Sequence, residues 1–311
     1  MSEKKLGIIV LNYNTYDETV ECINSIKEYT KLPYKVYLVD NASPDGSGTQ
    51  LKTFYKDDDK VEVILCLKNS GYSAGNNVGI RQASLEGCNY IFIVNSDVEL
   101  LNNAFDRMVK TLESDDAYMM IGPSVMDNND CETQIPRKKL SFKIFVLARH
   151  PFCDIPVVKK WSNRLYDVPK EGVFAFEGSV SGCCFGIKTE DFERIRLFDE
   201  HVFLYSEEDI LAYKMSKIGK KAVVDPDARV WHKANVSTKK EGNAFVQYHR
   251  WISVFYMLKA YAGINKLQQI FVALWNTLTW VVLSVVSKGH RKMLKGFWKQ
   301  NWHIVADKGD E

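Results

Sequence analysis

Asn89-Tyr90-Ile91-Phe92-Ile93-Val94-Asn95-Ser96-Asp97 is an apolar run closed by polar residues. The pattern is that of a buried parallel strand delivering a carboxylate to the carboxyl edge of a sheet. Open α/β sheets bind their ligands outside that edge. A second run, Tyr34-Lys35-Val36-Tyr37-Leu38-Val39, ends the same way at Asp40, and a third, Leu6 to Leu11, leads into Asn12-Tyr13-Asn14. Three strands thus end in polar side chains, which places Asn12, Asp40 and Asp97 around one crevice. Asp and Asn also cap helices and shape turns after strands, so the company these residues keep carries the reading rather than any one of them.

Between the second and third runs lies Asn69-Ser70-Gly71-Tyr72-Ser73-Ala74-Gly75-Asn76-Asn77-Val78-Gly79-Ile80-Arg81. Its glycines and asparagines suit a tight loop opening into a helix whose first N–H groups favour an anion, with Arg81 adding charge. The glycine spacing matches neither the dinucleotide fingerprint nor the Walker A loop. A Rossmann oxidoreductase and a P-loop NTPase are therefore unsupported, and a nucleotide-diphosphate ligand stays open.

These segments together resemble a family 2 glycosyltransferase. In that family the first strand carries an Asn-Tyr-Asn segment like Asn12 to Asn14, and the second ends in Asp-Asn-Ala-Ser, as Asp40 to Ser43 do. The resemblance runs from residue 6 to about residue 255 through Gly178-Ser179-Val180-Ser181-Gly182-Cys183-Cys184, Leu197-Phe198-Asp199-Glu200 and Phe203-Leu204-Tyr205-Ser206-Glu207-Glu208-Asp209-Ile210-Leu211. It implies an α/β, Rossmann-like A-type fold: a mixed sheet flanked by helices, with a nucleotide-binding half (1–100) and an acceptor half (101–235). Residues 236–311 form a helical C-terminal appendage on this reading.

The resemblance also implies roles. The metal motif appears as Asn95-Ser96-Asp97, its first acid replaced by Asn as in the rhamnosyltransferase-like branch. Asp97 then holds Mn2+ or Mg2+, and His232 approaches the ion and the diphosphate. The implied donor contacts are Asn12, Asn14, Asp40, Asn69, Gly71, Asn76, Arg81, Asn95, Ser96 and Arg250. Alignment on Leu211 puts Glu208 at the position of the catalytic base, with Asp209 as the alternative. The same acids also suit a capped helix start favoured by the macrodipole.

The implied reaction is inverting transfer of a sugar from dTDP-rhamnose or a UDP-sugar to a hydroxyl of a lipid-linked glycan in cell-envelope polysaccharide synthesis. A sugar-phosphate nucleotidyltransferase is the competing enzyme class. It calls for a Gly-rich, Arg- and Lys-bearing loop after the first strand, where Asn12-Tyr13-Asn14-Thr15-Tyr16-Asp17 stands instead. A non-catalytic sugar-nucleotide-binding scaffold is the third reading, and the acids at 207–209 argue against it.

A chain of 311 residues, 46% hydrophobic, supports one large α/β domain with an appendage. Its seven cysteines are odd in number and lack metal-ligand spacing, which favours a reduced intracellular protein. The opening residues carry no signal-peptide core, so a cytoplasmic catalytic part is expected.

The net charge of +2 conceals an asymmetry. Residues 236–306 hold ten Lys and Arg against the single acid Glu241, whereas residues 1–235 hold 30 basic and 35 acidic side chains. Nucleic-acid binding by the mildly acidic part is disfavoured. Leu267 to Ser287 is uncharged and long enough to span a bilayer, yet polar residues interrupt it. On one helix Gln269, Asn276, Thr277, Ser284, Lys288, Arg291, Lys295 and Lys299 share a face, with Trp275, Trp280, Trp298 and Trp302 as interfacial anchors. The expectation is an in-plane amphipathic helix that attaches residues 264–311 to an anionic membrane at its inner face. The alternative is a helical hairpin packed on the catalytic domain or on a second subunit of a homodimer. A further basic and apolar stretch, Arg137 to Arg149, occupies the place of the family's acceptor-side insertion; it suits contact with the same membrane or ordering by acceptor.

Overall fold

The computed structural model describes residues 4–127, 132, 137–148, 172–233 and 243–307. Strand β1 (Leu6–Asn12) leads to α1 (Tyr16–Tyr29), β2 (Tyr34–Asp40), α2 (Ser47–Phe54), β3 (Val61–Leu65), α3 (Tyr72–Leu85), β4 (Tyr90–Asn95), β5 (Val98–Leu100), α4 (Ala104–Glu113) and β6 (Tyr118–Met126). Then come β7 (Arg137–Lys138), α5 (Phe142–Ala148), β8 (Phe174–Phe176), β9 (Gly178–Ser179), β10 (Cys184–Lys188), α6 (Thr189–Arg194), α7 (Glu207–Lys217) and β11 (Lys221–His232). Three helices close the chain: α8 (Asn243–Ala260), α9 (Lys266–Val286) and α10 (Lys288–Ala306).

The main sheet has the order β3-β2-β1-β4-β10-β6-β11-β5, with β8 also paired to β11. Strands β1 to β4 run parallel to one another, while β10 runs antiparallel to both β4 and β6. The sheet is therefore mixed, as the resemblance implies. Side chains alternate along β1: Ile8 and Val10 join α1 and α4 in one apolar cluster, while Ile9 joins α3, α6 and α7 in another. Both faces being covered, the strands read as continuous apolar runs. Helix α3 lies close on the sheet, since a Cβ on Gly79 would sit 2.8 Å from Ile9 Cγ2.

Asp225-Pro226-Asp227 forms a bulge inside β11, whose register against β6 shifts between Asp225 and Arg229. A bulge tolerates the missing N–H of Pro226. The Asp225 carboxylate also holds the bulge in shape, accepting from Asp227 N at 3.0 Å and Thr111 Oγ1 at 2.9 Å.

The C-terminal region is a helical hairpin, not one long in-plane helix. Ser287 has extended backbone and ends α9, while its hydroxyl accepts from His290 N at the start of α10. The polar residues that a single helix would align thus divide between two antiparallel neighbours. Within the hairpin Asn276 Nδ2 donates to Asn301 Oδ1 at 3.2 Å, Asn301 Nδ2 donates to Ala273 O at 2.8 Å, and Trp280 Nε1 donates to His290 O at 3.1 Å. Buried Val254, Phe255 and Leu258 of α8, Val272 of α9 and Ile304 of α10 form a third cluster with Val202, Ile210, Leu140 and Phe145. Leu140 and Phe145 belong to the basic stretch 137–149, so its described apolar residues pack on the appendage. Arg149 lies outside the described residues.

A polar latch adds to this contact. Tyr256 and Tyr261 donate to Asp199 Oδ2 at 2.9 and 2.6 Å, and Ser253 Oγ donates to Leu204 O at 2.8 Å. Burial alone would raise the Asp199 carboxyl, but the hydrogen bonds from Tyr261, His201 and Tyr256 outweigh it and hold the group below its ordinary range.

Candidate active site

Strand register brings the expected ends together. Asn12 pairs with Asp40 across β1 and β2, and Leu11 with Asn95 across β1 and β4. A cleft of about 440 Å³ opens at this edge, within the size range of small-molecule sites. Leu11, Tyr13, Asn41, Asn69 and Gly71 border it together with Asn95, Ser96, Asp97 and His232. The remaining lining comes from Ser181 to Cys183, Phe203 to Tyr205, Glu207, Glu208, Tyr72 and Phe245.

Several expected donor contacts lie elsewhere. Asn12 is fully buried and its amide is engaged on both sides, Nδ2 donating to Asp40 Oδ1 at 2.7 Å and Ser47 Oγ at 3.0 Å while Oδ1 accepts from Thr15 and Thr19, both 3.0 Å. Asp40 also accepts from Ser43 Oγ at 2.6 Å, and a Cβ on Gly48 would sit 2.3 Å from its Oδ2. This network locks the turns after β1 and β2, and neither side chain lines the cleft. Asn14, with left-handed backbone and its N–H on Ser43 Oγ at 3.0 Å, stands outside the lining too.

The loop before α3 is likewise committed. Gly71 N donates to Asn69 Oδ1 at 2.9 Å, and Tyr72 N donates to Phe203 O at 2.8 Å, so the helix start presents fewer open donors to an anion than its sequence suggests. Gly71 has φ +92°, and a Cβ there would sit 2.3 Å from Phe203 O. Asn76 faces the protein interior with Nδ2 on Tyr72 O at 3.0 Å. Arg81 reaches away from the cleft to Glu200 Oε1 at 2.6 Å, a largely exposed pair. The acid that takes it lies beyond the nucleotide half in sequence, which is why residues 69–81 alone point it at the ligand.

Asp97 is buried at the cleft, where His232 Nε2 lies 3.2 Å from its Oδ1. Burial by itself would lower the imidazole's pKa, but hydrogen bonding to Asp97 outweighs it and carries His232 up to about 10. Without an ion that makes His232 a cation paired with Asp97; once an ion displaces its proton, a carboxylate and a neutral imidazole side by side suit Mn2+, which takes both ligand types, with phosphate oxygens available to complete the shell. The donor set fits an ion held jointly by protein and diphosphate. A site made by protein alone does not fit, since the described residues contain no group of three or more His, Cys, Asp or Glu able to hold a metal.

The acidic segment starts α7 after two residues in the left-handed region, Tyr205 (φ +72°) and Ser206 (φ +69°). Such conformations cost energy for residues other than glycine and tend to cluster at functional sites. Here they turn Glu207 and Glu208 toward the cleft, and Asp209 is not among its lining residues. Gly182 lies against Glu208, and Tyr72 Oη donates to Gly182 O at 2.8 Å. Glu207 is the feature that motif reading passed over. It is 6% exposed, its Oε2 has no hydrogen-bond partner among the described residues, and burial, then Glu208 and Asp209, push its carboxyl well above the usual range. On α8, the Arg250 guanidinium sits 4.8 Å from the centre of the Tyr205 ring, at the rim.

Residues 7–196 match the family described as Glycosyl transferase family 2, well over half of the chain. This chain belongs to that family. The match takes in Asn12 to Asp97 and ends before Glu207 and His232. Glycosyltransferase GlyG of Streptococcus pneumoniae is 32% identical over 117 residues, 38% of each chain, so that alignment spans well under half of the relative's length. N-acetylglucosaminyl-diphospho-decaprenol L-rhamnosyltransferase of Mycobacterium tuberculosis is 22% identical over 270 residues, covering 83% of this chain and 85% of that one. Among solved structures, GalNAc-T7 with UDP, GalNAc and Mn2+ superposes with a TM-score of 0.55 at 14% identity, over 75% of this chain and 44% of that one. The last likeness gives this glycosyltransferase the A-type fold. Family membership sets aside the nucleotidyltransferase reading.

The sequence named Asn69, Gly71, Asn95, Ser96, Asp97, His232 and Glu208, and the fold gathers all seven at one cleft. Tyr13 and Asn41 were within reach, being neighbours of the residues singled out. Phe245 on α8 carries no motif, and only the packing of the appendage brings it there.

Proposed function

We propose that this chain is an inverting, divalent-ion-assisted hexosyl- or rhamnosyltransferase that moves a sugar from a nucleotide-diphosphate donor to a hydroxyl of a lipid-linked glycan at the cytoplasmic membrane face. One observation carries the reading: Glu208 and the Asp97–His232 pair border a single cleft at the sheet edge.

The nucleoside lies along Tyr13, Asn41 and Asn69, where side-chain amides and an aromatic ring can meet base and ribose. Asp97 and His232 would hold Mn2+ or Mg2+, which when bound neutralises charge on the departing diphosphate. Asn95 and Ser96 border the same end and orient the phosphates by hydrogen bonding. Arg250 is placed at the rim to draw in the polyanion. Glu208 takes the proton from the acceptor hydroxyl as it attacks the anomeric carbon opposite the leaving group, which inverts configuration. Glu208 is preferred to Asp209 because it alone of the two borders the cleft. Glu207, whose carboxyl burial and Glu208 push well above the usual range, borders the cleft beside the base, where its protonated form donates a hydrogen bond to a sugar hydroxyl.

The activity named for the mycobacterial relative, rhamnosyl transfer to N-acetylglucosaminyl-diphospho-decaprenol, supports both a deoxyhexose donor and a lipid-linked acceptor. The test is a panel of dTDP-, UDP- and GDP-sugars with Mn2+, read as thermal shift and as release of nucleoside diphosphate by purified protein. One donor class should stabilise and be hydrolysed slowly. Stabilisation without turnover, on any acceptor, would return the chain to the scaffold reading.

A further inference from the structure

Helix α9 is built inside out for a helix on a water-soluble surface. Its polar side chains Asn276 and Ser284 are buried, whereas Leu274, Leu278, Val282 and Val285 are 55, 59, 58 and 72% exposed. A surface helix normally does the reverse. Leu267, Phe271, Leu274, Leu278, Val281 and Val285 recur at spacings of three and four residues, so one continuous apolar stripe runs the length of the helix. Phe142 packs edge-on against Phe271, with ring centroids 6.1 Å apart, while Leu267, Leu274, Leu278 and Val285 stay more than half exposed. An exposed apolar patch of this extent marks an interaction surface.

Charge selects the occupant. Residues 266–306 contain no Asp or Glu. Helix α10 carries Lys288, Arg291, Lys292, Lys295 and Lys299, all exposed, and none meets a carboxylate among the described residues. A second copy docked stripe to stripe would bring two acid-free, cation-bearing hairpins together, like charge beside like. An anionic bilayer answers both features at once, its headgroups meeting the cations and its acyl boundary the stripe. Trp298, half exposed on α10, suits the zone between the two.

We infer that the α9 stripe, flanked by the α10 cations, is a docking surface for an anionic lipid bilayer, with the hairpin lying on the membrane as a unit. The buried bonds that tie α9 to Asn301 and His290 of α10 hold it against the protein, which opposes a spanning helix. Gln247 Oε1 lies 2.9 Å from His290 Nε2, and Gln247 shares α8 with the cleft residue Phe245. The docked face is thereby rigidly joined to the cleft wall, which would fix the height of the cleft above the membrane. The surface stands apart from the sugar-transfer reading, because vesicle binding is measured without donor or acceptor.

The test is co-sedimentation of the full chain with vesicles of phosphatidylglycerol and phosphatidylcholine, and with phosphatidylcholine alone, at low and high salt. Binding should need the anionic lipid and weaken at least about tenfold at high salt. A Leu278→Glu, Val282→Glu variant should lose binding at every salt concentration. Replacing Lys288, Lys292, Lys295 and Lys299 by Gln should remove the salt-sensitive part. Unchanged melting temperature in both variants shows that the hairpin is intact; if the Glu pair melts early, Leu278→Ser with Val282→Ser replaces it. Absence of binding to anionic vesicles, or binding indifferent to the stripe, overturns the inference. A concentration-dependent dimer that the stripe variants dissolve, without vesicle binding, assigns the face to a second copy and overturns it too.

Discussion

Gly182 lies so close against Glu208 that a Cβ built on it would sit 1.9 Å from the Glu208 Oε1. The carboxylate therefore rests on bare backbone, and its position depends on the missing side chain. In Gly182→Ala the glutamate must rotate away while the fold, set by the sheet and by Tyr72 Oη on Gly182 O, has no reason to change. Turnover should fall by about a hundredfold, the scale of a lost general base, with donor-induced thermal shift preserved. Full turnover in this variant would mean that Glu208 does not act from the place it occupies.

Glu208→Gln keeps size and removes basicity, so turnover should drop by about a hundredfold or more with donor affinity largely intact. Asp209→Asn should stay within a few-fold of the parent, because Asp209 is absent from the cleft lining. Steady-state rates of the two variants side by side decide between them. A dead Asp209→Asn with an active Glu208→Gln would move the base by one residue.

Asp97→Ala should abolish divalent-ion-dependent turnover, since among the described residues the pair with His232 is the carboxylate–imidazole combination that lines the cleft. Asn95 contributes an amide and cannot restore the charge. Titrating Mn2+ against the parent and the variant, with nucleoside diphosphate present, should show ion binding only in the parent. Equal activity of both in excess chelator would remove the metal role.

How much of this was readable beforehand depends on where each residue's partners lie. Strands β1, β2 and β4 were legible because buried parallel strands write themselves as apolar runs, and their polar ends mark the edge. Asn12 and Asp40 were placed at that edge, but nothing in their own segments showed that Ser43, Ser47, Thr15 and Thr19 engage their side chains. Arg81 could not be assigned from its own segment because Glu200 sits far along the chain. The C-terminal break at Ser287 was hidden by polar residues that continue in helical phase across it. Folding it into a hairpin turned Asn276 and Ser284 inward and left the cations of α10 exposed.

That hairpin also changes what truncation does. Removing residues 264–311 strips α9 and α10 from the fully buried Phe255 and Leu258 of α8, and takes Val272 and Ile304 out of the same cluster. Losing large buried side chains costs about 2–5 kcal/mol each in cores, so the shortened chain should melt well below the parent. Differential scanning calorimetry checks this, and an unchanged melting temperature would show the appendage to be energetically independent of the catalytic part.

Glu207 ties stability to pH with a definite sign. Its ordinary value is 4.5, and in the fold burial and the neighbouring acids raise it well above that. Above about pH 4.5 the unfolded chain releases this proton while the folded chain keeps it, so the unfolded state binds fewer protons and stability declines as pH rises, by at most about 1.4 kcal/mol per pH unit. The stabilising contribution is thus whole below pH 4.5 and is lost progressively until the folded group itself ionises. Glu207→Gln retains the shape and a hydrogen-bond donor but does not titrate. The parent's melting temperature should fall from pH 5 toward pH 8 relative to that of the variant, and the two curves should converge at the acid end. Parallel curves over that range would mean that the folded protein holds Glu207 ionised, and the hydrogen bond it is assigned to a sugar hydroxyl would have to run the other way.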